Sequence, residues 1–378
     1  MKELNKERVQ TAAGHFQFEG RFSEALSYGS GHINDTFAAR FEQPDGKSRP
    51  YVLQRINTEV FQKPLELMEN IVHVTDHIRN TVTQMGGDPF RETLTIVPAV
   101  DDRSVYCDRE GEYWRAYLFI DGTVSYDTAE SEQDLYQSAR AFGKFQQMLA
   151  DFPAETLHET IPDFHNTPDR VSKFKEALDR DLLGRAESVQ KEIDFVFRHE
   201  EETHRLVDLQ KAGRLPLRVT HNDTKLNNVL IDRKTGEGIC IVDLDTVMPG
   251  LSLYDYGDSI RFGATYAAED EPNLSRVNFD PGLFEAYTKG YLEIAGEVLT
   301  DCETENLPMG AKLMTLECGI RFLTDYLSGD TYFKTDREGQ NLDRCRTQFK
   351  LVSDMEKEWK TMSDIVKKYS NGPDGKKS

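Results

Sequence analysis

The stretch VTHNDTKLNNVLIDRKTGEGICIVDLDTV, residues 219–247, gathers polar side chains that suit one kind of chemistry. It places His221, Asp223 and Asn228 in one short turn, and Asp243 follows after an apolar run. A loop that offers an acid, an amide and a later second acid suits metal-assisted phosphoryl transfer. In that chemistry one acid removes the proton of an attacking hydroxyl group, and oxygen ligands bind Mg²⁺. We therefore expect Asp223 to act as the base, and Asn228 and Asp243 to bind the metal.

Two other residues of this stretch are open to more than one role. Asp245 lies two positions after Asp243, so in a strand both side chains would share one face. Asp245 would then be either a second metal ligand or a residue that caps the loop. His221 is expected to support the loop through its own hydrogen bonds, because neither Ser nor Cys lies beside it as a nucleophile.

A polar turn leading into a strand is the alternative interpretation of the whole stretch, since Asp and Asn are common turn residues. The apolar run ICIV and the Asp-Leu-Asp sequence after it favour the catalytic interpretation. Separate elements then agree on one mechanism, which a lone turn would not require.

Composition limits the classes of partner. The chain has 378 residues, enough for two lobes, and its net charge is −20. Nucleic acid is a poor partner for such a surface, because phosphate binding requires clustered Lys and Arg. ATP remains compatible, since Mg²⁺, backbone N–H groups and one or two cations can meet its charge locally. The sequence contains no apolar run long enough to span a membrane, and no coiled coil or apolar stripe indicates a protein partner.

The cysteines and the N-terminal sequence predict a cytoplasmic protein. The 5 cysteines are scattered and form no CxxC pair, which is typical of reduced thiols rather than of a disulfide framework or a zinc site. The first ten residues, MKELNKERVQ, are charged and lack the apolar core of a signal peptide.

Apolar periodicity predicts an α+β fold with two lobes. Residues 16–60 have the pattern of strands joined by turns, residues 61–80 have a helical period, and TLTIVPAV, SVYCD and EYWRAYLFI follow as further strands. Residues 131–150 are amphipathic, and residues 169–212 are charged and helical in pattern. From about residue 278 the pattern is mainly helical.

This order predicts a bilobal, protein-kinase-like fold. We expect a small β-rich nucleotide-binding lobe at residues 1–120 and a larger helical lobe with the catalytic and substrate-binding residues at 121–370. The last segment, residues 371–378, is polar and is predicted to be disordered.

A glycine-rich turn lies between two predicted strands in YGSGHINDTF, residues 28–37. Gly29 and Gly31 would let backbone N–H groups approach phosphates. The next strand, YVLQRIN, occupies the place of the kinase strand that carries a phosphate-binding Lys, but here the matching residue is Gln54 with Arg55 beside it. Adjacent strand residues point to opposite faces, so both cannot serve without a bulge. The identity of the phosphate-binding cation is therefore open.

The segment MPGLSLYDYGDSIRFGA, residues 248–264, combines aromatic residues with acids. A buried Asp255 or Asp258 would brace the catalytic loop by accepting backbone N–H bonds. Arg261 and Phe262 would instead face the substrate.

The helical segment ECGIRFLTDYLSGDTYF, residues 317–333, places Arg321 and Asp325 four positions apart. One interpretation is a local ion pair between them. The other is that Arg321 reaches into an acceptor cleft.

These motifs resemble the aminoglycoside phosphotransferase-like kinases, a superfamily that includes choline, homoserine and methylthioribose kinases. Its pattern of His-x-Asp, an Asn five residues after the Asp, and a strand followed by Asp maps onto His221, Asp223, Asn228 and Asp243. The strings GHINDTF, YVLQRIN, HNDTKLNNVL, VDLDTVMPGLSLYDYGDSIRFGA and IRFLTDYLSGD resemble more narrowly the bacterial N-acetylhexosamine 1-kinases. This similarity spans about residues 20–335.

The resemblance implies a kinase that uses ATP and Mg²⁺ to phosphorylate N-acetylglucosamine (GlcNAc) or N-acetylgalactosamine (GalNAc) at the anomeric hydroxyl. It implies that the 29–37 loop covers the triphosphate and that the segment around 117–122 holds adenine. The candidate nucleotide-binding residues are Gly29, Ser30, Gly31, Asn34, Thr36 and Gln54. The candidate acceptor-binding residues are His32, Asp223, Phe262 and Arg321.

Two other functions compete with this one. The first is a related small-molecule kinase for choline, homoserine, another amino alcohol or an amino sugar. The second is a nucleotide-binding pseudokinase, which the intact set of Asp223, Asn228 and Asp243 disfavours. A protein kinase is disfavoured because no activation loop or APE-like sequence follows Asp243.

Overall fold

The computed structural model describes residues 6–29, 33–129 and 131–370. Three predicted site residues, Ser30, Gly31 and His32, lie outside these described residues, as does the predicted tail at 371–378. Within the described ranges the chain forms two compact units. The first takes the chain up to Val124 together with residues 156–161 and 230–248, and the second takes the remainder.

The strands fall mainly in the first unit and the helices mainly in the second, so the predicted α+β class is confirmed. The strands are β1 (Arg21–Ser27), β2 (Asp35–Glu42), β3 (Ser48–Arg55), β4 (Tyr106–Cys107), β5 (Tyr113–Leu118), β6 (Thr123–Val124), β7 (Arg218–Thr220), β8 (Val229–Asp232), β9 (Gly238–Ile241) and β10 (Met248–Gly250).

Helices make up most of the second unit and two of them belong to the first. They are α1 (Lys6–Ala13), α2 (Pro64–Gln84), α3 (Glu132–Met148), α4 (Thr167–Arg180), α5 (Gln190–His199), α6 (Arg205–Lys211), α7 (Ser252–Gly263), α8 (Pro281–Ala295), α9 (Asp301–Glu305), α10 (Leu307–Ser328), α11 (Gln340–Lys357) and α12 (Trp359–Ser370). Within the described ranges, no helix is both long and apolar enough to cross a bilayer.

The first unit is built on a five-stranded sheet in the order β1-β2-β3-β5-β4. Its register aligns Thr36 of β2 with Gln54 of β3, and Gln54 with Arg115 of β5. Residues directly opposite each other on neighbouring strands point to the same face. These three polar side chains therefore form one row across the sheet, and this row is part of the candidate site.

One predicted strand of the first unit is wrong. The segment TLTIVPAV makes only isolated bridges, from Ile96 to Tyr117 and from Ala99 to Phe16. Pro98 lies between the two bridging residues and has no N–H group to donate to a ladder, so a continuous strand is disfavoured there.

Helix α2 begins at Pro64, where the missing N–H group costs nothing, and runs to Gln84. It corresponds to the helical period predicted for residues 61–80. Its buried apolar side chains recur at helical spacing and include Leu67, Ile71 and Val74.

In the second unit, the charged segment 169–212 is broken into shorter helices rather than continuous. Helix α4 ends at Arg180, and the next residue, Asp181, has a left-handed backbone with φ of 32°. The Asp181 side chain accepts the N–H groups of Arg185 and Ala186, so it satisfies the backbone of the turn that follows. Apolar periodicity cannot reveal this turn, because the break depends on one side-chain cap.

Helices α7 and α10 cross at two glycines. A Cβ added to Gly257 would lie 2.3 Å from the carbonyl oxygen of Gly310, and one added to Gly310 would lie 2.8 Å from the carbonyl oxygen of Leu253. The close approach fixes α7 in the core, and α7 carries the acids that support the candidate site.

Substitution Gly257→Ala is expected to destabilise the protein, because the rigid backbone of α10 leaves no space for the methyl group. Overpacking of this kind typically costs about 1–3 kcal/mol. Urea-induced unfolding would measure the change, with Ser172→Ala on the exposed face of α4 as the control. An unchanged unfolding midpoint for Gly257→Ala would contradict the close helix crossing.

Candidate active site

The loop after β7 is held by one buried carboxylate. The backbone N–H groups of His221 and Asn222 donate to the two oxygens of Asp255, at 2.9 and 2.8 Å. Gln146 of α3 donates a third bond, at 3.1 Å. Asp255 is only 1% exposed, and this burial raises the pKa of its carboxyl group, while His221 and the N–H donors oppose the rise. The loop conformation is thus tied to a side chain of helix α7.

A second acid on the same helix holds the next part of the loop. Asp258 accepts the N–H of Thr224 at 2.8 Å, and Arg261 donates to its other oxygen at 2.9 Å. The Thr224 hydroxyl donates to the carbonyl of Asp255 at 2.7 Å. The prediction that acids of this segment brace the catalytic loop is therefore confirmed.

His221 supports the loop from inside, as predicted. It is fully buried, and its Nδ1 accepts the N–H of Asp223 at 3.3 Å. The rings of Phe142 and Phe145 meet the imidazole edge-on, with centroids 5.7 and 6.1 Å away. Asn222, between these two loop residues, has a left-handed backbone with φ of 66°, which asparagine tolerates better than most residues. The turn therefore places the partly exposed Asp223 directly after the buried part of the loop.

Asp223 is the partly exposed acid of this loop, and two neighbours hold its carboxylate. Lys225 Nζ lies 2.9 Å from Oδ1, and the side-chain amide of Asn228 donates to Oδ2 at 3.3 Å and to the Asp223 carbonyl at 2.8 Å. The side chain of Asp223 is 30% exposed, so a substrate hydroxyl can reach it. Because the Asn228 nitrogen is used for Asp223, its oxygen is the atom suited to a metal.

Lys225 is a site residue that the sequence analysis missed. Desolvation lowers the pKa of its ammonium group, but Asp223 and Asp258 outweigh this and raise the pKa above its ordinary value. Lys225 therefore carries a positive charge beside the candidate base. Its position two residues after Asp223 was the available signal.

Phe262 lies beside this charged group, while Arg261 does not face outward. The Arg261 guanidinium stacks on the Phe262 ring at 3.6 Å from its centroid, and Lys225 Nζ is 5.4 Å from the same centroid. Arg261 is 8% exposed and pairs with Asp258 and Glu269. The suggestion that Arg261 faces a substrate is thus wrong, because both carboxylates hold it in the core, whereas Phe262 keeps a partly exposed ring.

Arg321 does not form the local ion pair that its spacing from Asp325 allows. Asp325 instead accepts the backbone N–H groups of residues 331–333 and the side-chain amide of Asn341. The Arg321 guanidinium lies 5.4–5.8 Å from the centroids of three aromatic rings, those of Phe164, Tyr332 and Phe333. The local ion pair with Asp325 is therefore wrong, and the acceptor-cleft role of Arg321 stays a prediction.

More charge surrounds Arg321 than the sequence analysis anticipated. His165 Nδ1 lies 2.8 Å from one oxygen of Glu317, and the Thr167 hydroxyl donates to the other at 2.7 Å. Burial would raise the pKa of Glu317, but His165, Arg170 and Arg321 lower it below its ordinary value. Burial and the nearby charge of Arg321 lower the pKa of Arg170. The Glu317 carboxylate is thus already satisfied by neighbouring cations and hydrogen-bond donors.

The neighbourhoods of Phe262 and Arg321 meet at Cys318. Burial raises the pKa of the Cys318 thiol to about 11, and the charges of Arg261 and Arg321 both oppose this rise. The charges of both arginines therefore act on one buried residue of α10.

Within the first unit, Asp243 and Asp245 do not share a face. Strand β9 ends at Ile241, Asp243 adopts a left-handed backbone with φ of 59°, and a short 3₁₀ turn follows at Leu244–Thr246. Asp243 is exposed, whereas Asp245 is 4% exposed. The expectation from strand geometry is wrong because the strand stops before either acid.

The surroundings of Asp245 favour its bracing role over metal binding. Arg115 Nη1 forms an ion pair with Oδ1 of Asp245, and the side-chain amide of Asn34 donates to Oδ2. Both carboxylate oxygens thus have partners within the first unit. Asp243 is the acid of this turn that is exposed for a ligand.

The row across the sheet joins two predicted nucleotide-binding residues, Thr36 and Gln54, to Arg115. Gln54 donates to the Thr36 hydroxyl at 2.9 Å and accepts a bond from Arg115 Nε, also at 2.9 Å. Arg55 lies on the opposite face and donates to Asp35 at 2.9 Å, in agreement with the predicted alternation. Gly29 has φ of 82° and open space where a Cβ would stand, as an exposed turn requires.

The chain belongs to the phosphotransferase enzyme family (APH), whose family model matches residues 24–297. Its fold is similar to that of a microcompartment-associated aminopropanol kinase, with 16% identity, a TM-score of 0.57 and coverage of 95% of this chain and 99% of that one. An aminoglycoside phosphotransferase from Alicyclobacillus acidocaldarius has 11% identity, a TM-score of 0.60 and 98% coverage of both chains. An amicoumacin kinase, solved with AMP-PNP, Ca²⁺ and Ami, has 13% identity, a TM-score of 0.56 and 94% coverage of both. The predicted kinase-like fold class is confirmed.

Substitution Asp255→Asn is expected to loosen the loop, because an amide N–H₂ group would replace one acceptor oxygen and face backbone donors. An unsatisfied buried donor costs about 1–3 kcal/mol. Urea-induced unfolding would measure the loss, and amide hydrogen exchange at residues 221 and 222 should accelerate. The control is Asp301→Asn, which removes an exposed carboxylate from α9. Unchanged exchange at both amides would contradict the bracing role of Asp255.

Proposed function

We propose that this protein is an ATP- and Mg²⁺-dependent kinase that phosphorylates N-acetylhexosamines, GlcNAc or GalNAc, at the anomeric C1 hydroxyl. The observation that carries the chemistry is the held, partly exposed carboxylate of Asp223. Lys225 and Asn228 contact that carboxylate, and buried acids of α7 hold the loop around it. A base fixed in this way costs little reorganisation when the acceptor arrives.

In the proposed reaction, the O1 hydroxyl of the sugar donates a hydrogen bond to Asp223. The oxygen attacks the γ-phosphorus of ATP, the proton passes to Asp223, and the bond between the γ-phosphorus and the bridging oxygen breaks to release ADP. Lys225 fixes the orientation of the carboxylate, and its charge lies close to the reacting groups. The products are the sugar 1-phosphate and ADP.

The predicted metal ligands fit Mg²⁺ by their chemistry. Asn228 offers an amide oxygen and Asp243 an exposed carboxylate, and hard oxygen ligands are those that Mg²⁺ prefers. When bound, Mg²⁺ would neutralise charge on the phosphates. The amicoumacin kinase of similar fold is solved with AMP-PNP, an analogue of ATP, and Ca²⁺, which supports the use of ATP with a divalent cation.

The charges of the second unit favour a neutral acceptor over a cationic one. Lys225 contacts the candidate base Asp223 and lies beside Phe262, and Arg321 adds a second positive charge in this unit. The nearby acids Asp258 and Glu317 are already paired with an arginine and a histidine. A choline or amino alcohol would need acids free to meet its positive charge. This argues against the amino-alcohol alternative, although an aminopropanol kinase has a similar fold.

An acetamido sugar suits the groups that remain. The partly exposed Phe262 ring can pack against the apolar face of a sugar, as aromatic rings in sugar sites do. The Arg321 guanidinium, held among three rings, has N–H donors suited to the carbonyl oxygen of an acetamide. His32, the other proposed acceptor residue, lies outside the described residues.

Turnover with Mg-ATP is expected for GlcNAc and GalNAc and not for choline, homoserine or glucosamine. ADP release would be measured across this panel with galactose as a further neutral sugar. Turnover with choline or homoserine alone would remove the sugar assignment. Nucleotide binding without turnover on any member would favour the pseudokinase alternative.

Substitution Asp223→Asn is expected to reduce turnover by about 10²–10⁴-fold, the usual contribution of a general base. Mg-ATP binding, measured by calorimetry, should stay close to that of the wild type. Retained turnover would exclude Asp223 as the base.

Substitution Arg321→Met is expected to raise KM for GlcNAc on the order of 10- to 100-fold, since a charge-assisted hydrogen bond contributes about 1.5–3 kcal/mol. KM for ATP should not change. The matched control is Arg185→Met, because Arg185, like Arg321, lies over an aromatic ring. Its guanidinium is 4.4 Å from the centroid of the Tyr326 ring. Equal effects of the two variants on KM for GlcNAc would contradict acceptor binding by Arg321.

A further inference from the structure

The first unit lacks a lysine at the position where a kinase strand carries its phosphate-binding cation, and Gln54 stands there instead. The neighbouring cation, Arg55, points to the other face of the sheet, where it pairs with Asp35. The function proposed above still needs a device that orients the residues around the nucleotide. Arg115, on the strand next to Gln54, is the buried cation that lies on the same face as Gln54.

Arg115 is embedded in this face of the sheet. Its side chain is 1% exposed, its Nε donates to Gln54, and its Nη1 pairs with Asp245. Its guanidinium also lies 5.5 Å from the centroid of the Tyr117 ring. Burial lowers the pKa of Arg115, but the charges of Asp245 and Asp243 outweigh this effect and raise it above its ordinary value. Arg115 therefore stays charged and directed at the turn of the two acids.

The contacts of Asp245 and Gln54 extend this arrangement to the segment after the glycine-rich turn. Asn34 donates to Asp245 and accepts the backbone N–H of Asn57 at 2.9 Å. Thr36 accepts the bond from Gln54. A continuous chain of polar contacts thus runs from Asn34 through Asp245 and Arg115 to Gln54 and back to β2 at Thr36.

We propose that Arg115 is a positioning residue for Mg-ATP binding. It holds Asp245, and through it the turn that exposes Asp243, in a fixed relation to Asn34 and Thr36. In this chain the cation comes from β5 and acts on the metal-binding turn, where other kinases use a lysine of β3 directly on phosphate. This inference rests on the proposed kinase function, but it does not depend on the identity of the acceptor.

A purely structural ion pair is the competing explanation. A buried ion pair contributes little net stability, because desolvation of both charges offsets their attraction. The pair of Arg115 and Asp245 links Asn34 and Gln54, which are expected to contact nucleotide, with the turn of Asp243, which is expected to bind the metal. This link favours the positioning role. The two explanations differ in what they predict for ligand binding.

The test is the affinity for Mg-ATP, measured by titration calorimetry without any acceptor. Arg115→Met is expected to weaken Mg-ATP binding by at least tenfold, as estimated for a lost charge-assisted contact. Its effect on ATP binding in EDTA should be much smaller, because the metal-binding turn is what the substitution releases. Arg115→Lys keeps the charge but loses the planar guanidinium that contacts both Gln54 and Asp245. Its affinity for Mg-ATP should therefore lie between that of the wild type and that of Arg115→Met.

A matched control is available on the opposite face of β5. Arg8 pairs with Asp108 at 2.7 Å, and Asp108 accepts a bond from Trp114, the residue before Arg115. Arg8→Met breaks a partly buried ion pair against the same strand and should leave the affinity for Mg-ATP unchanged. Thermal unfolding of all variants would separate lost stability from lost binding. Equal loss of affinity in Arg8→Met and Arg115→Met would overturn the proposal.

The variant Asp245→Asn keeps the proposal testable if Arg115→Met folds poorly, because it changes the same ion pair from the other side. Asp245→Asn should weaken Mg-ATP binding by itself. The double variant Arg115→Met/Asp245→Asn should lose less binding free energy than the sum of the two single losses, because both residues act through one contact. Full additivity, or unchanged Mg-ATP affinity in Asp245→Asn, would contradict it.

Failure of this inference is distinguishable from failure of the proposed function. Wild-type protein that binds Mg-ATP but phosphorylates no acetamido sugar would refute the acceptor assignment and leave the comparison of Arg115 variants valid. Wild-type protein that binds no nucleotide would refute both.

Discussion

The two hydrogen bonds that the backbone N–H groups of His221 and Asn222 donate to the Asp255 carboxylate hold the candidate active site in place. Hydrogen bonds to a charged acceptor are stronger than neutral ones, and burial removes competing water. The carboxylate lies on α7, whose position is fixed by the glycine crossing with α10. The core of the helical unit therefore fixes the conformation of the loop that carries Asp223.

The two compact units use the same device at different turns. In each, a buried acid is used for bracing and a second acid is exposed or partly exposed: Asp255 supports the turn of Asp223, and Asp245 supports the turn of Asp243. A residue with positive φ occurs at each turn, at Asn222 and at Asp243 itself. Such backbones persist only where surrounding contacts enforce them. The bracing contacts explain why Asp245 and Asp255 are buried, while Asp223 and Asp243 are not.

The proximity of Asp223 and Asn228 was predictable because their spacing in the chain brings both residues into one turn. Periodicity also located α2 and the helical second unit. It failed where a single cap or backbone turn decides the outcome, as at Asp181 and at Asp243. It could not find Arg115, because the contact with Asp245 joins residues far apart in the chain through sheet register. A charged residue inside the apolar strand YWRAYL was the available signal.

In the proposed reaction, phosphate is transferred to the anomeric oxygen of an N-acetylhexosamine. The most direct measurement is ³¹P NMR of the product formed from GlcNAc and Mg-ATP by the wild-type protein. Phosphorylation at O1 should give one new phosphomonoester signal, split by coupling to the anomeric proton of the sugar. A signal coupled to the C6 protons, or ADP formed without any sugar phosphate, would contradict it.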